Sequence, residues 1–179
     1  LNKAKSVVFV LEKYKVPRLV LDSSINSKES LQKIRDLKPD LLISIAGNEI
    51  FKQPLIELAD KGCLNLHTAL LPKYRGLMPS FWVLKNQEKE TGVSVFFVDE
   101  GIDSGPILVQ KKLPLEGLTQ EVLIKKSKRL GMEAIKEGLE LIHSGDYELI
   151  PNDDREMTYF SFPTRQDVVE FYEAGGRFF

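Results

Sequence analysis

Apolar and polar positions follow two alternating rhythms along the chain. Val7, Val8, Leu11 and Tyr14 recur at helical spacing and predict an opening helix. Residues 16–21 read as a short strand with Pro17 at its start. Ser27 precedes a helix with Glu29 in its first turn and Leu31, Ile34 and Leu37 along one face. After Pro39 and Asp40, the continuous apolar run LLISIA (41–46) has the composition of a strand buried on both faces of a parallel sheet, and Gly47 ends it. A short helix is predicted over 54–59 and a strand over 63–66. Residues 68–79, with Pro72, Gly76 and Pro79, read as loop, and 80–85 as a helix carrying Phe81, Trp82 and Leu84. TGVSVFFV (91–98), rich in β-branched and aromatic residues, is the strongest strand. DEGIDSG (99–105) is turn chemistry, and a further strand covers 107–111. Thr119 opens a long amphipathic helix ending near Gly145, with Val122, Leu123, Leu130, Ile135, Leu139 and Ile142 facing inward.

Strands alternating with helices specify an α/β fold with a mostly parallel sheet and helices on both faces. The last stretch has a different character. Seven of the sixteen aromatics fall in residues 159–179, and Thr164 with Asp167 forms a capping box before Val168, Val169 and Phe171. Aromatics this dense bury something. The plain reading is docking onto the domain; the functional one is a pocket wall or an oligomer contact. The expected organisation is one domain over 1–150 and an aromatic extension over 151–179.

Composition removes several functions. The chain has 179 residues, 42% hydrophobic and 28% charged, with a net charge of -1. That balance does not suit a protein that coats nucleic acid, whose affinity comes from excess positive charge. One cysteine, Cys63, permits no intrachain disulfide, so a cytoplasmic location is expected. One cysteine and two histidines leave too few soft ligands for a structural zinc site. No apolar run approaches the roughly 20 residues that span a bilayer.

Three polar residues stand out by placement. Asn65 and His67 lie at i and i+2 where a strand ends, so they project to the same side while Leu66 faces the other. Asp103 lies in the turn after strand 91–98. Ligands of α/β sheets bind beyond the carboxyl ends of strands, and neighbouring strands bring these three together there. An amide and an imidazolium both donate to an oxyanion, and a carboxylate orients the imidazole and accepts protons through water. The trio therefore suits group transfer at a carbonyl, without metal or covalent intermediate. Each residue also has a plainer reading: a satisfied structural histidine, a turn asparagine, and an Asx-turn aspartate beside Gly101 and Gly105.

The segment CLNLHTALLPKYRG (63–76), followed by TGVSVFFVDEGIDSGPIL (91–108), resembles the 10-formyltetrahydrofolate-dependent formyltransferases. The shared signature is Asn-x-His, a Leu-Leu-Pro loop, and Asp-x-Gly after a Thr-Gly-Val strand. Here these are Asn65, His67, Leu70-Leu71-Pro72 and Asp103-Ser104-Gly105, with looser similarity over about 10–145. The resemblance implies a Rossmann-like catalytic domain that carries a formyl group from 10-formyltetrahydrofolate to an amine. It implies that Asn65 and His67 hold the formyl oxygen while Asp103 tunes His67 and relays the proton. Glu49, Ile50 and Phe51, the turn Asp99-Glu100-Gly101-Ile102, and Leu70, Leu71 and Pro72 correspond to the loops of the folate pocket. Lys73 and Arg75 either meet an acceptor phosphate or lie on solvated surface.

The family opens with a glycine-punctuated strand, a helix and a second strand, and nothing here matches them. The domain is therefore expected to be incomplete at its N-terminus, with strands 16–21 and 41–46 lacking a common partner. Neutral charge and the short tail point away from tRNA towards a small amine, such as an amino sugar or sugar nucleotide. Competing readings are a hydrolase that releases formate from formyltetrahydrofolate, and a non-catalytic folate- or nucleotide-binding domain. Cys63 is expected to be a buried small hydrophobe, and His143 a surface residue near a helix C-terminus.

Overall fold

A computed structural model describes residues 6–179. The helices are α1 (Val7–Lys13), α2 (Lys28–Asp36), α3 (Gln53–Ile56), α4 (Pro79–Lys85), α5 (Gln120–Ser144) and α6 (Arg165–Glu173). The strands are β1 (Leu42–Ile45), β2 (Cys63–His67), β3 (Arg75–Gly76), β4 (Glu90–Phe97), β5 (Ile107–Pro114) and β6 (Tyr159–Phe160). Helix starts follow capping chemistry: Ser27, Thr119 and Thr164 each accept a backbone N–H of the first turn. The Thr164–Asp167 capping box is present in full. Gly145, at φ +72°, ends α5.

The α/β class stands, with a central sheet ordered β1-β2-β4-β5 and flanked by helices. The expected balance of strand directions does not. Only β1 and β2 run parallel; β2 pairs antiparallel with β4, and β4 antiparallel with β5. The turn over 98–106 makes β4 and β5 a hairpin, which forces them antiparallel.

Two N-terminal expectations also change. Residues 16–21 form no strand, because they meet no ladder partner, and Val16, Leu19 and Val20 are exposed. Strand β1 is not buried on both faces. It pairs on one side only among the described residues, and Ile43 and Ile45 are 41% and 51% exposed.

Helix α5 covers one face of the sheet. Leu64, Leu66, Val93, Val95, Leu108 and Val109 pack there with Ala134 and Ile135. Its contact stripe is made largely of small residues, because the helix sits close. A Cβ on Gly131 would lie 2.5 Å from Leu66 Cδ2. This turns Val122 and Leu139 outward, against expectation, while Leu123 is fully buried.

On the opposite face, loop 68–74 folds over β4. The buried Ser94 hydroxyl donates to Ala69 O (2.7 Å) and accepts from Leu71 N (3.1 Å). Leu71 packs with Phe96 and Ile107.

The aromatic segment docks. Phe160 stacks on Trp82 (centroids 4.7 Å) and Tyr74 (5.3 Å), and Phe171 on Phe81 (5.0 Å). Trp82 Nε1 donates to Ser161 O, and β6 pairs parallel with β3. Phe162 and Phe179 remain exposed. Among the described residues no helix is long and apolar enough to cross a membrane.

Candidate active site

Period-2 alternation in β2 sends Leu64 and Leu66 to α5, and Asn65 and His67 to the other face. There they meet the turn after β4. Asn65, His67 and Asp103 line one cavity of about 620 Å³ at the strand ends. Its wall is largely apolar, including Ile50, Phe51, Leu77, Met78 and Ile102. This size and lining suit a ligand of small-molecule dimensions.

His67 is 6% exposed, and its two nitrogens have distinct partners. Nε2 lies 2.7 Å from Tyr74 O. A carbonyl can only accept, so Nε2 carries a proton and donates it there. Nδ1 faces Asp103 Oδ2 at 3.5 Å, an approach that a proton on Nδ1 makes attractive. The same Oδ2 accepts from Gly76 N at 2.8 Å. Asn65 is half-buried, and its side chain makes no hydrogen bond among the described residues, leaving its amide for the cavity.

The turn bearing Asp103 is tightly folded. Asp99 Oδ1 accepts from Gly101 N and the Ser104 hydroxyl. A Cβ on Gly105 would lie 1.8 Å from Phe97 O, so only glycine fits. Asp103 itself is left-handed, at φ +50°.

The folate-pocket positions inferred from the sequence divide. Glu49, Ile50, Phe51, Asp99, Gly101 and Ile102 line the cavity, whereas Glu100 lines a shallower neighbouring one. Leu70, Leu71 and Pro72 line neither. Their segment is drawn onto β4, where Leu71 joins the core. Arg75 is neither solvated nor free to meet a phosphate. It is 5% exposed and donates to Asp154 Oδ1 at 2.7 Å and Asn152 Oδ1 at 2.9 Å. Lys73 is exposed and lies outside the cavity.

Several contributors had no local signal. Asn26 donates to Ile50 O and accepts from Lys52 N, pinning the loop that holds Ile50 and Phe51. Glu49 accepts from the Ser24 hydroxyl and Ile25 N, which hold its carboxyl below the usual range. Tyr159, from the docked aromatic segment, lines the cavity, so that segment both docks and builds pocket wall. Cys63 is 1% exposed and burial pushes its thiol up to about 11, as a small hydrophobe would behave. His143 is exposed in the last turn of α5.

A family model described as formyl transferase matches residues 1–139. Methionyl-tRNA formyltransferase of Kosmotoga olearia is 37% identical over 172 residues, covering 95% of this chain and 55% of that protein. The chain thus spans about half the length of the curated relatives it matches. Among solved structures, the N-formyltransferase of Helicobacter canadensis, in complex with folinic acid and dTDP-3-aminofucose, superposes with a TM-score of 0.69. It is 25% identical, covering 91% of this chain and 55% of that one. WlaRD, a sugar 3N-formyl transferase, also gives 0.69 at 24% identity, with 91% and 54% covered.

Proposed function

Because the chain belongs to the formyl transferase family, we propose that it transfers a formyl group from 10-formyltetrahydrofolate to the amine of methionyl-tRNA. The observation that carries this reading is the convergence of Asn65, His67 and Asp103 on one cavity, with His67 Nδ1 directed at Asp103. The sequence-based preference for an amino sugar over tRNA finds no support in the curated relatives, which are named for methionyl-tRNA. Residues 6–150 supply the catalytic frame, and 151–179 the docked extension.

The chemistry follows from the geometry. The acceptor amine attacks the formyl carbon, a new C–N bond forms, and the carbonyl oxygen becomes an oxyanion. The unengaged amide of Asn65 donates to that charge, and His67, held by Tyr74 O through Nε2 and facing Asp103 through Nδ1, lines the same cavity beside it. Asp103, facing Nδ1, orients the imidazole and accepts a proton through water. Collapse breaks the bond between the formyl carbon and N10 of the donor. One proton passes from the acceptor nitrogen to N10, so the reaction balances without redox change. Ile50, Phe51 and Ile102 provide an apolar seat for the donor ring, and backbone groups of 49–51 and of Asp99, Gly101 and Ile102 its polar contacts.

An amino-sugar nucleotide is the second acceptor, favoured by the 25% identical neighbour in complex with dTDP-3-aminofucose. The test incubates the protein with 10-formyltetrahydrofolate and either methionyl-tRNA, dTDP-3-aminofucose or no acceptor, and detects formylated product and free formate. Formyl-methionyl-tRNA is expected. Transfer only to the sugar nucleotide overturns the acceptor, and formate release independent of any acceptor indicates hydrolysis. Asn65→Ala, His67→Ala and Asp103→Ala should each lower the rate by about 10²–10³-fold, as loss of one oxyanion donor does. Near-parental rates in all three would refute the site.

A further inference from the structure

A guanidinium buried as deeply as that of Arg75 requires compensating partners, and these lie in a segment well separated in sequence. Nη2 donates to Asn152 Oδ1 (2.9 Å) and Asn152 O (3.2 Å), and Nη1 to Asp154 Oδ1 (2.7 Å). The Asn152 amide is thereby fixed with its Nδ2 pointing the other way. Nδ2 donates to Asp103 O and to Gly105 O, both at 2.8 Å. These two carbonyls bracket the turn in which Asp103 is left-handed, a conformation that disfavours a side chain and persists only when its surroundings impose it.

The residues on either side of Arg75 hold the other half of the pair. Tyr74 O takes the Nε2 proton of His67, and Gly76 N donates to the Asp103 carboxylate. Residues 74–76 thus grip the imidazole, the Asp103 backbone through Asn152, and the carboxylate. We propose that Asn152, locked by Arg75, is a positioning residue that holds the Asp103 carboxylate against His67. The inference rests on the role given to Asp103 above. Without the clamp, the backbone of Asp103 relaxes out of the left-handed region. Its Cα–Cβ bond rotates, and the carboxylate leaves Nδ1. Asn65 and the Ile50–Phe51 wall of the donor seat lie outside that turn and are untouched by the change.

The test measures formyl transfer from 10-formyltetrahydrofolate to methionyl-tRNA, with dTDP-3-aminofucose run in parallel. Asn152→Leu should lower kcat about 10–100-fold, the scale of a small misplacement of reacting groups, with KM for the donor within about twofold. Asn152→Gln, which keeps the amide, should recover part of kcat. In an Asp103→Asn background, Asn152→Leu should add no further loss, because both changes act through one carboxylate. Arg75→Lys, which keeps the charge but not the fork, is the second variant should Asn152→Leu fail to fold, and it should show the same kcat-selective loss. A parental kcat in either variant, or a full additional loss in the Asp103→Asn background, overturns the positioning role alone. A parental rate in Asp103→Asn itself overturns the role of Asp103, and the inference with it.

Discussion

Strand β4 carries two buried hydroxyls with opposite fates, and replacing each should move stability in opposite directions. Ser94 is fully buried and its hydroxyl bonds to Ala69 O, Leu71 N and Gln110 Nε2, at 2.7, 3.1 and 3.0 Å. Ser94→Ala leaves Gln110 its second partner, Leu71 O. It orphans the Ala69 carbonyl and the Leu71 N–H, both in residues under 5% exposed. At about 1–3 kcal/mol for each orphaned group, less some relaxation, the loss is about 2–5 kcal/mol. For a chain of this size that corresponds to a fall of roughly 5–15 °C in Tm. Thr91 is 2% exposed, and its Oγ1 has no partner among the described residues. Thr91→Val removes an unsatisfied hydroxyl at nearly constant shape, and should stabilise by about 1–2 kcal/mol. Urea unfolding followed by the fluorescence of Trp82, the single tryptophan, reads both. Ser94→Ala should also slow the proposed formyl transfer, because the loop it pins leads into Tyr74, whose carbonyl fixes His67. A Ser94→Ala cost below about 1 kcal/mol, or equal losses from both variants, would refute the claim that hydrogen-bond satisfaction sets these values.

Gly76→Ala should detach the C-terminal segment, since the added Cβ would lie 2.3 Å from Phe160 O at a φ of +93°. Limited proteolysis should then cleave within 151–179, and activity should fall as the Gly76 N–H bond to Asp103 is lost. Asp167 is held at about 2, below its ordinary 3.8, first by the Thr164 hydroxyl and amide and then by Lys85. Its contribution is therefore complete above 3.8 and disappears as pH falls from there through about 2. Trp82 fluorescence should report loosening of α6 in that window, and Asp167→Asn should reduce the pH dependence, leaving the part due to Glu170, which Lys85 also holds below its ordinary value. Cys63, with its thiol raised to about 11, should resist Ellman's reagent at neutral pH in the folded protein. Labelling at the rate of a free thiol would contradict that burial.

Much of the site was readable from local pattern. The i, i+2 spacing placed Asn65 and His67 on one side of β2, and the turn residues around Asp103 placed it at the end of β4. The longer strands and helices from residue 27 onward followed from periodicity and caps, whereas β3, in a stretch read as loop, and β6 did not. The readings that failed concern what lies across from a residue. The run 16–21 has the composition of a strand, yet it meets no ladder partner among the described residues. Leu70, Leu71 and Pro72 match a pocket motif, yet Ser94 draws that loop into the core.

Sequence alone determined which polar groups the candidate site contains and which way each points from its own strand or turn, because those depend on backbone periodicity and residue type. Tertiary structure decided which of them meet. Arg75 reads locally as a surface cation beside a loop. It is buried because residues 152–154 return to it from the far side of the chain. The proton on His67 Nε2 is likewise placed by a carbonyl seven residues away, brought back by the fold of the loop. Partners of this kind are set by chain return and by the requirement that buried polar groups be satisfied, and no local window of the sequence contains that information.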